Sequence, residues 1–125
     1  MIILDYKDRR PIYEQVVEKL QELMICGILE ENSQLPSVRT LATELSINPN
    51  TIQRAYAQLE RDGYIYSVKG KGSFVADQAV IIEKKVWEID NRFHSVVKEA
   101  CMAGISCEEL HQKVDLYYSE GGTGV

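Results

Sequence analysis

Apolar side chains recur at Tyr13, Val16, Val17, Leu20, Leu23, Met24 and Ile28, the three-and-four spacing of one helix face, and predict a first helix. Pro11 suits its first helical position, where no N–H partner is needed, and Gly27 with the polar stretch Glu30 to Gln34 ends it. A second helix opens at Leu35-Pro36-Ser37, with Ser37 placed to accept an N–H from the first turn, and has the inner stripe Val38, Leu41, Ala42 and Leu45. After Ser46-Ile47, Asn48 as N-cap and Pro49 at N1 start a third helix whose buried face is Ile52, Ala55, Tyr56 and Leu59. Gly63 is positioned for the left-handed residue that closes it. Tyr64 to Val68 and Ser73 to Ala76 read as strands around Lys69-Gly70-Lys71-Gly72, a turn whose glycines tolerate positive φ.

From about Ala79 the period changes. Ile82, Val86, Ile89, Phe93, Val96, Ala100 and Ala103 alternate steps of four and three, a coiled-coil-like seam on one long helix that Gly104 ends. Ser106 to Glu109 then forms a capping box for a short last helix bearing Leu110, Val114 and Tyr117. The expected fold is mainly α with a small β-hairpin. It comprises a winged helix-turn-helix DNA-binding domain (residues 1–77), a two-helix dimerisation extension (78–120) and a flexible glycine-rich tail (121–125). An exposed seam of this kind is costly, so a second copy of the chain is expected to cover it through Ile82, Val86, Ile89, Phe93, Val96 and Ala100. Folding back onto the first helix is the alternative.

Composition is ordinary for a globular chain of 125 residues, 45% hydrophobic and 26% charged. No apolar run approaches the roughly 20 residues that span a bilayer, and the start lacks the layout of a signal peptide, so a cytoplasmic protein without membrane contact is expected. Cys26, Cys101 and Cys107 fit no metal-ligand pattern and read as buried or half-buried small residues, with a Cys101–Cys107 metal or redox pair as the alternative. The net charge of −5 argues against a partner made of phosphates. Its distribution answers in part: Leu35 to Val75 holds five basic and three acidic residues (+2), whereas Asp77 onward holds five basic and nine acidic (−4).

In a helix-turn-helix the second helix of the unit enters the major groove with its early residues. Those are Asn48, Asn50, Thr51, Gln53 and Arg54 here, and Gln53 can pair bidentately with adenine. Asn50 and Thr51 suit phosphate oxygens, as do N–H groups at the start of this helix. Arg39 can reach a phosphate or a guanine, unless an intramolecular ion pair holds it. Lys69 and Lys71 on a glycine-flanked turn suit minor-groove entry, or are a solvated turn. Asn48 and Pro49 can be caps and nothing more.

Several ordered motifs carry a family resemblance: Pro11-Ile-Tyr-Glu-Gln, Leu35-Pro-Ser-Val-Arg-Thr-Leu-Ala, Asn48-Pro-Asn-Thr-Ile-Gln-Arg-Ala-Tyr, Leu59-Glu-Arg-Asp-Gly and Gly70-Lys-Gly-Ser-Phe-Val. Over about residues 8–77 the chain resembles the GntR family of bacterial regulators. The resemblance implies a homodimer on palindromic double-stranded operator DNA, and repression, often of transporter genes. By position it implies contacts from Arg39, Thr51, Gln53 and Gly70, with Ser37 and Lys71 nearby. Pro49 stands where better-known members often carry a base-reading arginine, so that contact is absent. Ser46 stands where helix-turn-helix units often use glycine. The short C-terminal part is similar to that of the YtrA-like subfamily, whose helical extension serves dimerisation, and it is too short for a ligand domain.

No cofactor, metal or enzymatic activity is expected. His94 and His111 lack partners at ligand spacing, and Gly70-Lys71-Gly72-Ser73 lacks the earlier glycine and the strand-to-helix setting of a phosphate loop. A small-molecule effector, of unknown identity, could lodge near Trp87 or Phe93, or beside Tyr117 and Tyr118, although these aromatics read first as core. The competing reading is a winged-helix protein-interaction module without specific DNA binding, which the acidic total favours.

Overall fold

The elements of this computed structural model, which describes residues 2–121, run α1 (Ile12–Ile25), α2 (Val38–Leu45), α3 (Pro49–Arg61), β1 (Ile65–Val68), β2 (Gly72–Val75), α4 (Gln78–Met102) and α5 (Cys107–Gly121). The chain divides into two compact units, Met1–Lys85 and Val86–Val125, the division falling inside α4.

In the first unit the apolar stripes meet in one core. Val16, Leu20 and Met24 of α1 join Leu41 and Ala42 of α2, Ile52, Ala55, Tyr56 and Leu59 of α3, then Tyr64, Ile65, Val75 and Ile81. Full burial of one large side chain of this kind is worth about 1.5–3 kcal/mol, so packing rather than helix propensity holds α2, which has only eight residues. β1 and β2 pair antiparallel, Ile65 opposite Val75 and Val68 opposite Gly72.

Two features of this unit were not legible as elements. The polar connection after α1 lines the other edge of β2: Asn32 N–H donates to Val75 O (2.7 Å), Val75 N–H to Ser33 O (2.9 Å) and Leu35 N–H to Ser73 O (2.8 Å). β2 is therefore paired on both sides. The segment before α1 is anchored by Gln15, only 4% exposed. Its amide accepts from Asp5 N–H (2.9 Å) and donates to Asp5 O (3.0 Å), while Ile2 and Leu4 pack against the core. Nearby, Arg10 bonds Asp8 and Glu18 and holds both carboxyls below their ordinary range.

In the second unit α4 ends at a reversal where Gly104 has φ 85° and Ile105 N–H reaches Ala100 O (2.9 Å). Ser106 Oγ accepts Glu109 N–H (3.1 Å) and caps α5, which buries none of its residues. Across the two units, Ile82, Val86, Ile89, Phe93 and Val96 on α4 are between 38% and 59% exposed. Among the described residues no helix is long and apolar enough to cross a membrane, and no group of three or more His, Cys, Asp or Glu could hold a metal ion.

Some local expectations need correction. Pro11 is the N-cap of α1 rather than its first helical residue, with ψ 145° and its carbonyl accepting Glu14 N–H (3.1 Å). Ile28 lies beyond the reversal at Gly27 (φ 77°) and is 67% exposed, so it leaves the α1 stripe. The three cysteines are exposed, not buried or half-buried. Cys26 follows the end of α1, Cys101 is the helical neighbour of buried Ala100 and so faces away from it, and Cys107 begins a helix with no buried face. Ala100 is itself 7% exposed and adds little surface to the seam. Gly121 is the last residue of α5, and the rest of the expected tail, 122–125, lies outside the described residues.

Candidate nucleic-acid interface

The expected DNA-facing side chains all belong to the first unit, on α2, α3 and the hairpin. At the start of α2, Ser37 Oγ accepts Thr40 N–H (3.0 Å) and Ser37 O accepts Leu41 N–H (3.0 Å). The N–H groups of Val38 and Arg39 have no partner among the described residues. They point out of the helix start, where an anion is favoured by the helix dipole. The Arg39 side chain is exposed and makes no ion pair among the described residues, so an internal salt bridge does not account for it.

The turn into α3 is set by Ser46 in the left-handed region (φ 54°, ψ 47°) and by Ile47 N–H bonding Ala42 O (2.9 Å). At the start of α3, Asn48 Oδ1 accepts Asn50 N–H (2.8 Å), and Asn48 O accepts Thr51 and Ile52 N–H (3.0 and 3.4 Å). Pro49 has no N–H to offer. The α3 N-terminus has thus used its own donors. The expectation that N–H groups there face a phosphate is corrected, and the free ones sit on α2.

Side chains on α3 divide sharply. Ile52, Ala55, Tyr56 and Leu59 are buried. Asn50 and Gln53 are exposed, and the Gln53 side-chain amide has no hydrogen-bond partner among the described residues. Thr51 is half-buried rather than fully outward. Arg54 is exposed but lies over the Tyr13 ring of α1, its guanidinium carbon 3.9 Å from the ring centroid. Such a cation–π contact fixes the direction of a long side chain. No sequence signal links Tyr13 to Arg54, because the two meet only once α1 and α3 pack. Tyr56 ties α3 to the loop before α2 by donating to Pro36 O (2.7 Å). Burial, and then the charge of Glu44, push its hydroxyl up to about 12.

The hairpin tip is tight. Lys71 N–H bonds Val68 O (2.9 Å), and Gly70 has the positive φ (78°) that the third position of a type II turn requires. Lys69, Gly70 and Lys71 are exposed, and the two lysine ammonium groups form no ion pair among the described residues. Below the tip Tyr66 stacks on Phe74, with ring centroids 5.7 Å apart. Arg39, Lys69 and Lys71 thus form no ion pair among the described residues and belong to the same unit as the neutral start of α3, whereas Arg10 is paired with Asp8 and Glu18. That unit thus carries both cationic anchors and an amide able to read a base edge.

Residues 12–75 match the model for the bacterial regulatory proteins of the gntR family. The chain belongs to the GntR family. It is 38% identical to the HTH-type transcriptional repressor YtrA of Bacillus subtilis (strain 168) over 90% of this chain and 88% of that one. A solved GntR family transcriptional regulator from Listeria monocytogenes superposes with a TM-score of 0.74 at 35% identity, covering 90% of this chain and 97% of the other. The DNA-binding domain of AraR, solved in complex with operator ORE1, shares 29% identity over 61% of this chain and 93% of its own, with a TM-score of 0.53. This GntR protein is a DNA-binding transcription regulator of the winged helix-turn-helix type, a class that does not act by catalysis. The likeness to YtrA extends past the hairpin, as a short helical extension requires.

Proposed function

We propose that this GntR protein is a homodimeric repressor that reads an inverted-repeat operator in its own operon, in the cytoplasm. The observation that carries the reading is the Gln53 side-chain amide, without a partner among the described residues at the exposed start of α3, on the same compact unit as Arg39, Lys69 and Lys71, which form no ion pair among the described residues. Gln53 reads a base edge in the major groove. Asn50 and Thr51 contact the backbone beside it, and Arg54, directed by Tyr13, meets a flanking phosphate. Ser37 and Arg39 hold a second phosphate with the free N–H groups of α2. Lys69, Gly70 and Lys71 enter the minor groove. The half-exposed Val86, Ile89, Phe93 and Val96, with Ile82 at the edge, support a second copy as the partner, because hiding them from water on pairing is favourable. YtrA, the relative named above, is a repressor, which supports the same role here.

Fluorescence anisotropy with fragments of the promoter of its own operon tests this reading. Gln53→Ala is expected to cost about 1–3 kcal/mol on the operator and to relax preference at one base pair. Lys71→Ala is expected to weaken every duplex alike and to flatten the salt dependence by about one phosphate contact. Phe93→Glu is expected to give monomers in sedimentation runs and to remove tight operator binding. Equal affinity for operator and scrambled duplex in the wild-type protein refutes the proposal.

A further inference from the structure

The wing is held from outside the hairpin. Gln34, in the connection between α1 and α2, donates from its amide nitrogen to Lys71 O at 2.6 Å. A backbone carbonyl only accepts, so the amide must present its nitrogen there. The backbone of Gln34 is bridged to Phe74 of β2, which lets the side chain run beside the outer edge of the hairpin toward the tip. Gly72 leaves room for it: the residue has φ 125°, and a Cβ at this position would lie 2.8 Å from the Gln34 nitrogen. A hydrogen bond, a glycine-made gap and a backbone bridge thus converge on one side chain.

From this convergence we infer that Gln34 is a positioning residue for the wing: it fixes the loop that carries Lys69 and Lys71 before DNA arrives. The strands are anchored by the core and by the connection beside β2, but the ladder ends at Val68 opposite Gly72 and the tip, 69–71, lies beyond it. A loop that must be ordered at the moment of binding loses affinity to that ordering. Gln34 removes part of the loss without touching the duplex. The inference rests on the reading that the wing meets DNA.

The test is Gln34→Leu, which keeps the bulk and removes the donor. Operator and scrambled duplex are both expected to bind about three- to tenfold more weakly, the range for one neutral hydrogen bond. Backbone 15N relaxation is expected to show faster motion at Gly70, Lys71 and Gly72 with the rest of the unit unchanged. In a Lys69→Ala/Lys71→Ala background the same substitution is expected to change affinity no further, because the loop it positions has lost its charges. If Lys71→Ala weakens binding while Gln34→Leu does not, or if the Gln34→Leu loss persists undiminished in the double-lysine background, this inference falls and the DNA-binding reading stands. If the wild-type protein shows no operator preference, both fall.

Discussion

Ser46 occupies the turn between α2 and α3 with φ 54° and ψ 47°, and its hydroxyl has no hydrogen-bond partner among the described residues. An L-residue other than glycine sits there at a cost of roughly 1–2 kcal/mol, since Cβ crowds the neighbouring carbonyl. Ser46→Gly relieves that strain and loses no contact. Against it stands the wider freedom of glycine in the unfolded chain, about 0.4–1 kcal/mol. The net expectation is a gain of about 0.5–1 kcal/mol. For a unit of this size that corresponds to a rise in melting temperature of roughly 2–8 °C. Thermal melts followed by circular dichroism, with urea melts as a second measure, read the effect. Ser46→Val supplies the opposite sign, a loss of about 1 kcal/mol or more, because a branched Cβ tolerates this region least. Operator affinity of Ser46→Gly is expected to match the wild type, since glycine adopts the same angles. A glycine variant that melts at or below the wild-type temperature refutes the strain argument.

Two further outcomes follow from groups already described. The raised Tyr56 hydroxyl makes stability depend on alkali: unfolded tyrosine ionises near 10, the folded group at about 12. Its contribution is complete below pH 10 and is lost as pH rises toward 12. Tyr56→Phe is expected to be about 1 kcal/mol less stable at pH 8, with a gap that closes and then reverses as pH rises from 10 to 12 in urea melts; parallel profiles would show that the burial argument is wrong. Gln15→Leu leaves the Asp5 N–H and carbonyl without their amide partner. It is expected to cost about 1–3 kcal/mol and to speed amide exchange at Asp5, whereas unchanged exchange there would remove Gln15 from its anchoring role.

What the sequence made legible was local. Ser37, Asn48, Pro49 and Gly63 each have the role that their chemistry dictates within a few residues, and the stripes of α1, α2 and α3 supply most of the core, with Ile28 outside it. What stayed hidden depends on partners distant in the chain. Asn32 to Leu35 carry no alternation that marks a strand, yet β2 supplies their partners. Arg54 reads as outward surface until α1 places Tyr13 beneath it. The exposure of Cys26, Cys101 and Cys107 follows from where α1 ends, which way α4 turns and how little α5 buries, none of which composition records.

The double pairing of β2 also sets an order of events in folding. Its hairpin with β1 closes over a three-residue tip and can form within about 1–10 µs. The Gln34 bond spans 37 positions and must wait until α2 and α3 have docked, because the loop it closes contains both helices. The bond that holds the tip of the wing therefore forms only after the two helices it encloses have docked. The chain reaches its reading posture only after the core beneath it is complete.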